Sequence, residues 1–418
     1  SRGRHTLNLP RSAYSRNLQL ILIIGLLARI AVVVWTMIDS SRFDYPDGRR
    51  YMQVARNIAD GRGPVDSVTV FAGTDPLYPL VLSRFVYRTG GDDYIERRGR
   101  VVNVLAGCLS IFLAAQIGRL LFSESAGLIA AAILAVDPIQ IFFCGLILTE
   151  ILYTCMLLAA IYCMVRHKSG RAWVWAAACG VVLGLATLTR SSHLFLNLLL
   201  VPMIAAWVIG NWLRRFAHIA IAALALIVIV SPNVVRNYRL FDKIVLTRSG
   251  SGASMLEGLG PRADGGPGMD RIVYPTFAEA ADEFERDATC RDAALKWARE
   301  NPVQTLRLAW TKLCRTWSPT INAPGYDRPM YAIIGWLTTA PIYVLIVIGV
   351  WRVRRNFWAI ALLLSPAAYY TLVHMIFVGS VRYRTPAMPM LFVLAGVGAM
   401  ALYERLGTGR RVREMSRG

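Results

Sequence analysis

Charge is what this chain has least of. Only 17% of its 418 residues are charged, against about a quarter in a typical soluble domain, and 55% are hydrophobic. That shortage excludes an ordinary soluble globule and points into a bilayer. Acid is scarcer than base, with 26 Asp and Glu against 46 Lys and Arg for a net charge of +20. Zinc-type spacing of Cys and His is missing. No internal repeat is visible, which argues against transporters built from duplicated halves. Only Cys290 and Cys314 lie in the long loops, away from the apolar runs. Two cysteines alone do not establish a disulfide, so a Cys290–Cys314 bridge stays open.

What is present is a series of apolar runs, each near the roughly 20 residues that cross a hydrocarbon core. Ten can be read: 18–38, 101–121, 125–143, 146–165, 172–189, 193–210, 217–232, 330–350, 357–377 and 385–403. The third is interrupted by Asp137-Pro138, and Glu150 lies at the start of the fourth. The first is too long for a signal-peptide core and lacks a small-residue cleavage site, so we expect it to stay as a span.

The short connections supply orientation. Segment 1–17 carries Arg2, Arg4, Arg11 and Arg16 and no acid. The links at 166–171, 211–216 and 351–356 are purely basic, and the tail adds Arg405, Arg410, Arg411, Arg413 and Arg417. With ten spans these segments share one side, which the positive-inside rule makes cytoplasmic, as are both termini. Much of the +20 is then a topology signal, and nucleic acid is not expected as a partner.

Two long loops, 39–100 and 233–329, are expected outside. The first has ten basic and nine acidic residues, the second fourteen and twelve. Long loops cross largely regardless of charge. In the first, Tyr51, Val54, Ala55, Ile58 and Ala59 fall at helical spacing before Gly61 and Gly63. A second amphipathic piece runs from Pro76 to Tyr87. Both read as helices in the membrane interface. Asp47 then stands at the mouth of the first, where the helix dipole favours a carboxylate. In the second loop, the Gly-rich stretch from Ser249 to Gly268 predicts irregular chain, and 277–318 predicts helix, restarted at Pro302.

Several polar residues collect at one outer edge: Asp47, Arg50, Asp75, Glu150, Arg190, His193, Arg236, Arg382 and Arg384. An ionised group deep in a span costs about 2.5–3.5 kcal/mol on insertion scales, so such groups usually face a cavity or a partner. Arginine offers a donor fork suited to phosphate oxygens. A lipid-linked phosphate would arrive from the membrane side. Displacement at a sugar carbon on that phosphate needs one base for the acceptor. The leaving phosphate needs only cations and no general acid. Asp75, Glu150 and His193 could together approach a divalent cation, but no metal is assigned and no cofactor is expected.

These residues also fall in a family pattern. Pro46-Asp47-Gly48-Arg49-Arg50-Tyr51, Pro76-Leu77-Tyr78-Pro79-Leu80, Leu148-Thr149-Glu150, Leu188-Thr189-Arg190, Arg236-Asn237-Tyr238 and Arg382-Tyr383-Arg384-Thr385-Pro386 follow in order along the chain. Together they resemble the GT-C superfamily of polyprenyl-phosphate-sugar-dependent glycosyltransferases, which includes the protein O-mannosyltransferases and the lipid A aminoarabinose transferase. The resemblance implies that Asp47 is the catalytic base. It implies that Arg50, Arg190, Arg236 and Arg382 or Arg384 hold the donor phosphate. Tyr51, Asp75, Tyr78, Glu150, His193, Tyr238 and Tyr383 would line the substrate pocket, with Glu150 near the acceptor or orienting an arginine. Gly48 stands where many relatives have Glu, and Asp75 where others have basic residues. The large C-terminal periplasmic domain of some relatives is not represented.

The expected architecture is an all-α polytopic membrane protein of about ten transmembrane helices, with interfacial helices in the first outer loop and a small helical outer-loop domain. Residues 1–232 form an N-terminal catalytic module, 233–329 a periplasmic subdomain, and 330–418 the last spans with a basic tail. The expected activity is transfer of a sugar, with inversion, from a polyprenyl-phosphate donor to a lipid A, glycan, protein or lipid acceptor. The site would face the periplasm from a bacterial inner membrane. Two alternatives remain: a transporter or flippase of lipid-linked saccharide, and a ligase or polymerase using diphosphate donors.

Overall fold

The computed structural model describes residues 11–38, 45–67, 70, 72–86, 91–166, 171–269, 282–321 and 328–415. Their regular structure is helical, with no strand among them. In chain order the helices are α1 (Arg11–Ile38), α2 (Pro46–Ala59), α3 (Leu77–Ser83), α4 (Asp92–Leu121), α5 (Glu124–Val136), α6 (Pro138–Cys144), α7 (Glu150–Arg166) and α8 (Ala172–Thr189). There follow α9 (Asn197–Met203), α10 (Trp212–Phe241), α11 (Ser251–Gly258), α12 (Glu283–Glu300), α13 (Pro302–Trp317), α14 (Pro329–Arg352), α15 (Phe357–Ile376), α16 (Val381–Arg384) and α17 (Met388–Met415). Short 3₁₀ helices at Ser191–Leu196 and Ile204–Trp207 flank α9.

Every apolar run read from the sequence has a helical counterpart, but they are not equal. Among the described residues seven helices are long and apolar enough to cross a membrane: α1, α4, α8, α10, α14, α15 and α17. The pair α5–α6 is apolar enough to make an eighth if it counts as one span, bent by 56° at Asp137-Pro138. The bend has a local cause. Proline is accepted at the first position of α6, and the Asp137 side chain accepts from Gln140 N at 2.8 Å, so a new helix starts where the old one stops. The run at 146–165 becomes the 17-residue α7, and 193–210 becomes α9 with its two 3₁₀ turns, both short of that length. The expected all-α membrane architecture is thus present, with seven to eight of the ten apolar runs forming helices of full spanning length among the described residues.

Burial separates an inner set from an outer set. In α7, Tyr153, Leu157, Leu158, Ala160 and Ile161 are fully buried, as are Phe392, Val393, Leu394 and Ala395 in α17. Close approach makes this packing tight: a Cβ on Gly349 of α14 or Gly398 of α17 would run into the other helix's backbone. Small residues play this part where membrane helices meet. By contrast α1, α10 and α14 expose Leu27, Leu224, Leu337 and many other apolar side chains. A helix apolar all round and largely uncovered belongs against lipid, so the chain is a multi-pass membrane protein.

Several buried cations sit on helix C-termini. Arg29 of α1, 1% exposed, donates to Leu134 O at 3.1 Å and Ala135 O at 3.2 Å, the last turn of α5. Lys312 of α13 donates to Met375 O and Ile376 O, the end of α15. Arg384 donates to Ser318 O at 2.6 Å and Thr316 O at 3.4 Å, at the end of α13. Each satisfies carbonyls that a helix end leaves open and lies where the dipole favours positive charge.

The two long connecting segments depart from two expectations. α10 does not stop at Pro232 but runs to Phe241, so Arg236-Asn237-Tyr238 lies on a helix. It ends where Asp242 takes a left-handed conformation, φ 52°. The Gly-rich stretch is not irregular throughout. α11 forms within it and buries Ala253, Leu256 and Leu259 against Cys290 and Ala294 of α12. Gly252 is what allows this, since a Cβ there would meet the α12 backbone at Asp287. Cys290 is buried, Cys314 is exposed, and both are free thiols. Residues 270–281, including the expected helix start at 277, and Tyr87 lie outside the described residues.

Candidate active site

The site is assembled from helix ends. Asp47 is the second residue of α2, whose first is Pro46. Glu150 opens α7. Both acids sit where a helix dipole favours negative charge, while Arg190 follows the last residue of α8, where it favours positive charge. Arg382 lies on α16, a single turn capped by Ser380.

Arg382 joins the two acids. Its Nη1 donates to Asp47 Oδ2 at 2.6 Å, and its Nε donates to Glu150 Oε1. Arg190 Nη1 donates to the same Glu150 oxygen at 3.0 Å. Glu150 is wholly buried, whereas the Asp47 side chain is 44% exposed. Of the two carboxylates, only Asp47 can be reached by an incoming group. The Arg382 guanidinium holds the Asp47 carboxyl below the usual carboxylate range, with Arg50 and Arg248 adding to the effect against the cost of burial.

Aromatic rings back the arginines. Arg190 lies over the rings of Tyr153 and Tyr383, each 5.8 Å from the guanidinium carbon. Tyr383 stacks on His374 at 3.8 Å between centroids. Tyr153 is hydrogen-bonded to His193 Nδ1 at 2.6 Å and to Tyr370 Oη. Tyr51 packs edge-on against Tyr78 at 5.4 Å. Burial, together with the Asp47 charge, pushes the Tyr51 hydroxyl well above its ordinary value, so it stays a neutral donor.

A second group adjoins the first. Asp75 Oδ2 accepts from Ser191 N at 2.9 Å and lies 3.7 Å from Arg248 Nε. Arg248 also donates to Ser191 Oγ at 2.9 Å and to Gly73 O at 3.2 Å. Burial pushes the Asp75 carboxyl up, partly offset by Arg248 and the Ser191 bonds. Arg248 was not singled out in the sequence. Asn233 and Asn237, one turn apart on α10, bring it here by holding Leu246 O, Thr247 O and Val245 O. An asparagine pair at helical spacing was the available signal.

The remaining candidates have partners of their own. Arg384 stands two residues from Arg382 and so on the opposite side of a helical turn. It is 2% exposed, and its Nη1 also donates to Tyr343 Oη at 2.5 Å, which makes it an anchor for α13 and α14. Arg236 donates to Pro64 O at 2.8 Å and Asn237 Oδ1 at 3.0 Å, fastening the first loop to α10. Arg50 pairs with Asp66 at 3.4 Å. Tyr238 is half exposed on α10. His193 is turned to Tyr153, and no group of three or more His, Cys, Asp or Glu placed for a metal ion occurs among the described residues.

Residues 76–235 match the model of a family described as dolichyl-phosphate-mannose-protein mannosyltransferase. That segment holds Glu150, Arg190 and His193; Asp47 and Arg382 lie on either side of it. No curated protein matches the sequence. Among solved structures, the oligosaccharyltransferase of Archaeoglobus fulgidus tethered to an acceptor peptide superposes with a TM-score of 0.58 at 12% identity, over 94% of this chain and 50% of that one. The same organism's enzyme AglB, in complex with an inhibitory peptide and a dolichol-phosphate, gives 0.57 at 11% identity, over 95% and 52%. ArnT from Cupriavidus metallidurans bound to undecaprenyl phosphate superposes more loosely, at 0.43 and 16% identity, over 91% and 76%. The chain thus spans about half the length of the oligosaccharyltransferases it matches. The family match and the fold bear out the resemblance to GT-C membrane glycosyltransferases.

Proposed function

We propose that this GT-C-type chain is an inverting glycosyltransferase that takes a sugar from a polyprenyl-phosphate donor and passes it to an acceptor at the outer face of a bacterial inner membrane. The observation that carries the reading is the junction of helix ends where Arg382 holds the exposed Asp47 and the buried Glu150. In the step, the acceptor oxygen attacks the sugar's anomeric carbon from the face opposite the phosphate, which inverts that centre. The bond from that carbon to the phosphate oxygen breaks, and its electron pair leaves on the phosphate. The acceptor proton passes to Asp47. Arg382 and Arg190 meet the charge that develops on the phosphate, which is the kind of interaction that contributes most to such reactions. Glu150 positions both arginines. Arg248, Asp75 and Tyr51 offer donors and acceptors to the sugar hydroxyls, and the acceptor enters past Asp47.

The family model matched by residues 76–235 and the dolichol-phosphate bound in a similar structure support a lipid-phosphate donor. With the basic connections facing the cytoplasm, the junction opens outward, and both termini lie inside. The reading is tested by mass spectrometry of membrane lipids and surface glycans from cells lacking the protein, complemented with wild type or Asp47→Asn. One polyprenyl-phosphate sugar should accumulate, one decoration should vanish, and only wild type should reverse both. Unchanged lipids and glycans would refute the transferase, and accumulation of a diphosphate-linked sugar would move the donor class.

A further inference from the structure

We propose that Asp47 and the donor phosphate compete for Arg382, so that arrival of the phosphate frees the Asp47 carboxylate to act as a base. The inference rests on the donor class proposed above and adds an order of events to it.

The resting contacts set up the competition. Arg382 has three nitrogens, and two are committed to different acids: Nε to Glu150 and Nη1 to Asp47. The two commitments differ in permanence. Glu150 is wholly buried and also carries Arg190, so its bond to Nε is shut away from water. Asp47 is the accessible partner, 44% exposed. A planar guanidinium that turns about the Nε bond keeps Glu150 and gives up Asp47. Arginine grips phosphate best through two parallel N–H groups. Nη1 and Nη2 keep three N–H groups between them, but a phosphate that takes both nitrogens while Asp47 stays on Nη1 sets two anions against one nitrogen, so the full grip is gained by displacing Asp47.

Competition also fits the chemistry. While Arg382 holds it, the Asp47 carboxyl stays below the usual carboxylate range and is a poor proton acceptor. A donor phosphodiester carries one negative charge; the lipid monophosphate formed by its cleavage can carry two. The pull of the phosphate on Arg382 therefore grows as the sugar–phosphate bond breaks. Asp47 would gain basicity at the stage when the acceptor proton must be taken. An enzyme without bound donor would hold its base idle.

Binding of undecaprenyl phosphate to the full-length protein in detergent, measured by titration calorimetry, tests this without knowledge of the sugar. The set is wild type, Asp47→Asn, Arg382→Gln and the double variant. Asparagine keeps the shape of Asp47 but cannot hold a guanidinium as a carboxylate does, so Asp47→Asn should bind about tenfold tighter than wild type. Arg382→Gln should bind at least about tenfold weaker. In the Arg382→Gln background the Asp47→Asn gain should vanish, which separates competition for Arg382 from simple repulsion between carboxylate and phosphate. Equal or weaker binding by Asp47→Asn, or a gain that persists without Arg382, overturns the inference and leaves the proposed transferase standing. Failure of wild type to bind the lipid phosphate removes both.

Discussion

Arg29, Lys312 and Arg384 in the body of the molecule and Arg190, Arg248 and Arg382 at the junction of helix ends are all cations drawn out of water, yet they are held differently. The first three donate to backbone carbonyls at the ends of α5, α15 and α13. Those acceptors are fixed by the helices themselves and cannot be exchanged for a ligand. The second three lie against carboxylates: Glu150, Asp75 and Asp47. A carboxylate is a mobile anion, and another anion can take its place. A buried cation on a carbonyl therefore reads as structure, and a half-buried cation on an acid reads as a site.

The contrast can be broken most forcefully at Arg382. Arg382→Gln should cost on the order of 10²–10³-fold in turnover, measured with donor lipid from the accumulating strain. A loss of only a few-fold would place Arg382 with the structural set. The kcat/KM profile of that variant, which reports the enzyme before donor binds, should also show its acid limb at higher pH. Asp47, relieved of the guanidinium that depresses its carboxyl, then titrates nearer the ordinary carboxylate range. An unmoved limb would mean that Arg382 does not tune Asp47.

Glu150→Gln comes next. It leaves two arginines around a buried neutral amide, and breaking a buried pair from one side typically costs about 3–5 kcal/mol. A clear fall in the melting temperature is expected, and a variant as stable as wild type would contradict the assigned burial. Arg384→Met and Lys312→Met should have the smallest effect on function. Each removes a cap from helix carbonyls, at a cost of about 1–3 kcal/mol in stability, while undecaprenyl phosphate binding stays within about twofold of wild type. Loss of lipid binding without loss of stability would move Arg384 into the site.

The sequence and the structure agree best where a property is local. Spanning helices follow from apolar length, the α5–α6 bend from Asp137-Pro138, and the place of Asp47 from a proline-led amphipathic helix. Agreement fails where partners are distant. Arg382 and Arg384 look interchangeable in Arg-Tyr-Arg, and only the turn between them, with the α13 carbonyls on one side and Glu150 on the other, tells them apart. Arg248 was invisible because its position depends on two asparagines folding residues 245–247 back along α10. The stretch around α11 read as irregular because the surface that buries it belongs to α12. Arg236 looked like a loop cation because Pro232 suggests a stop, yet α10 continues through it.

The central claim is that Asp47 is the base of a lipid-phosphate-dependent transferase, and single-turnover transfer by purified Asp47→Asn tests it most directly. With the accumulated donor lipid and membrane acceptor extract, the variant should lose at least about 10²-fold in rate while still binding undecaprenyl phosphate. Transfer at the wild-type rate by a variant that binds the lipid normally would contradict the account.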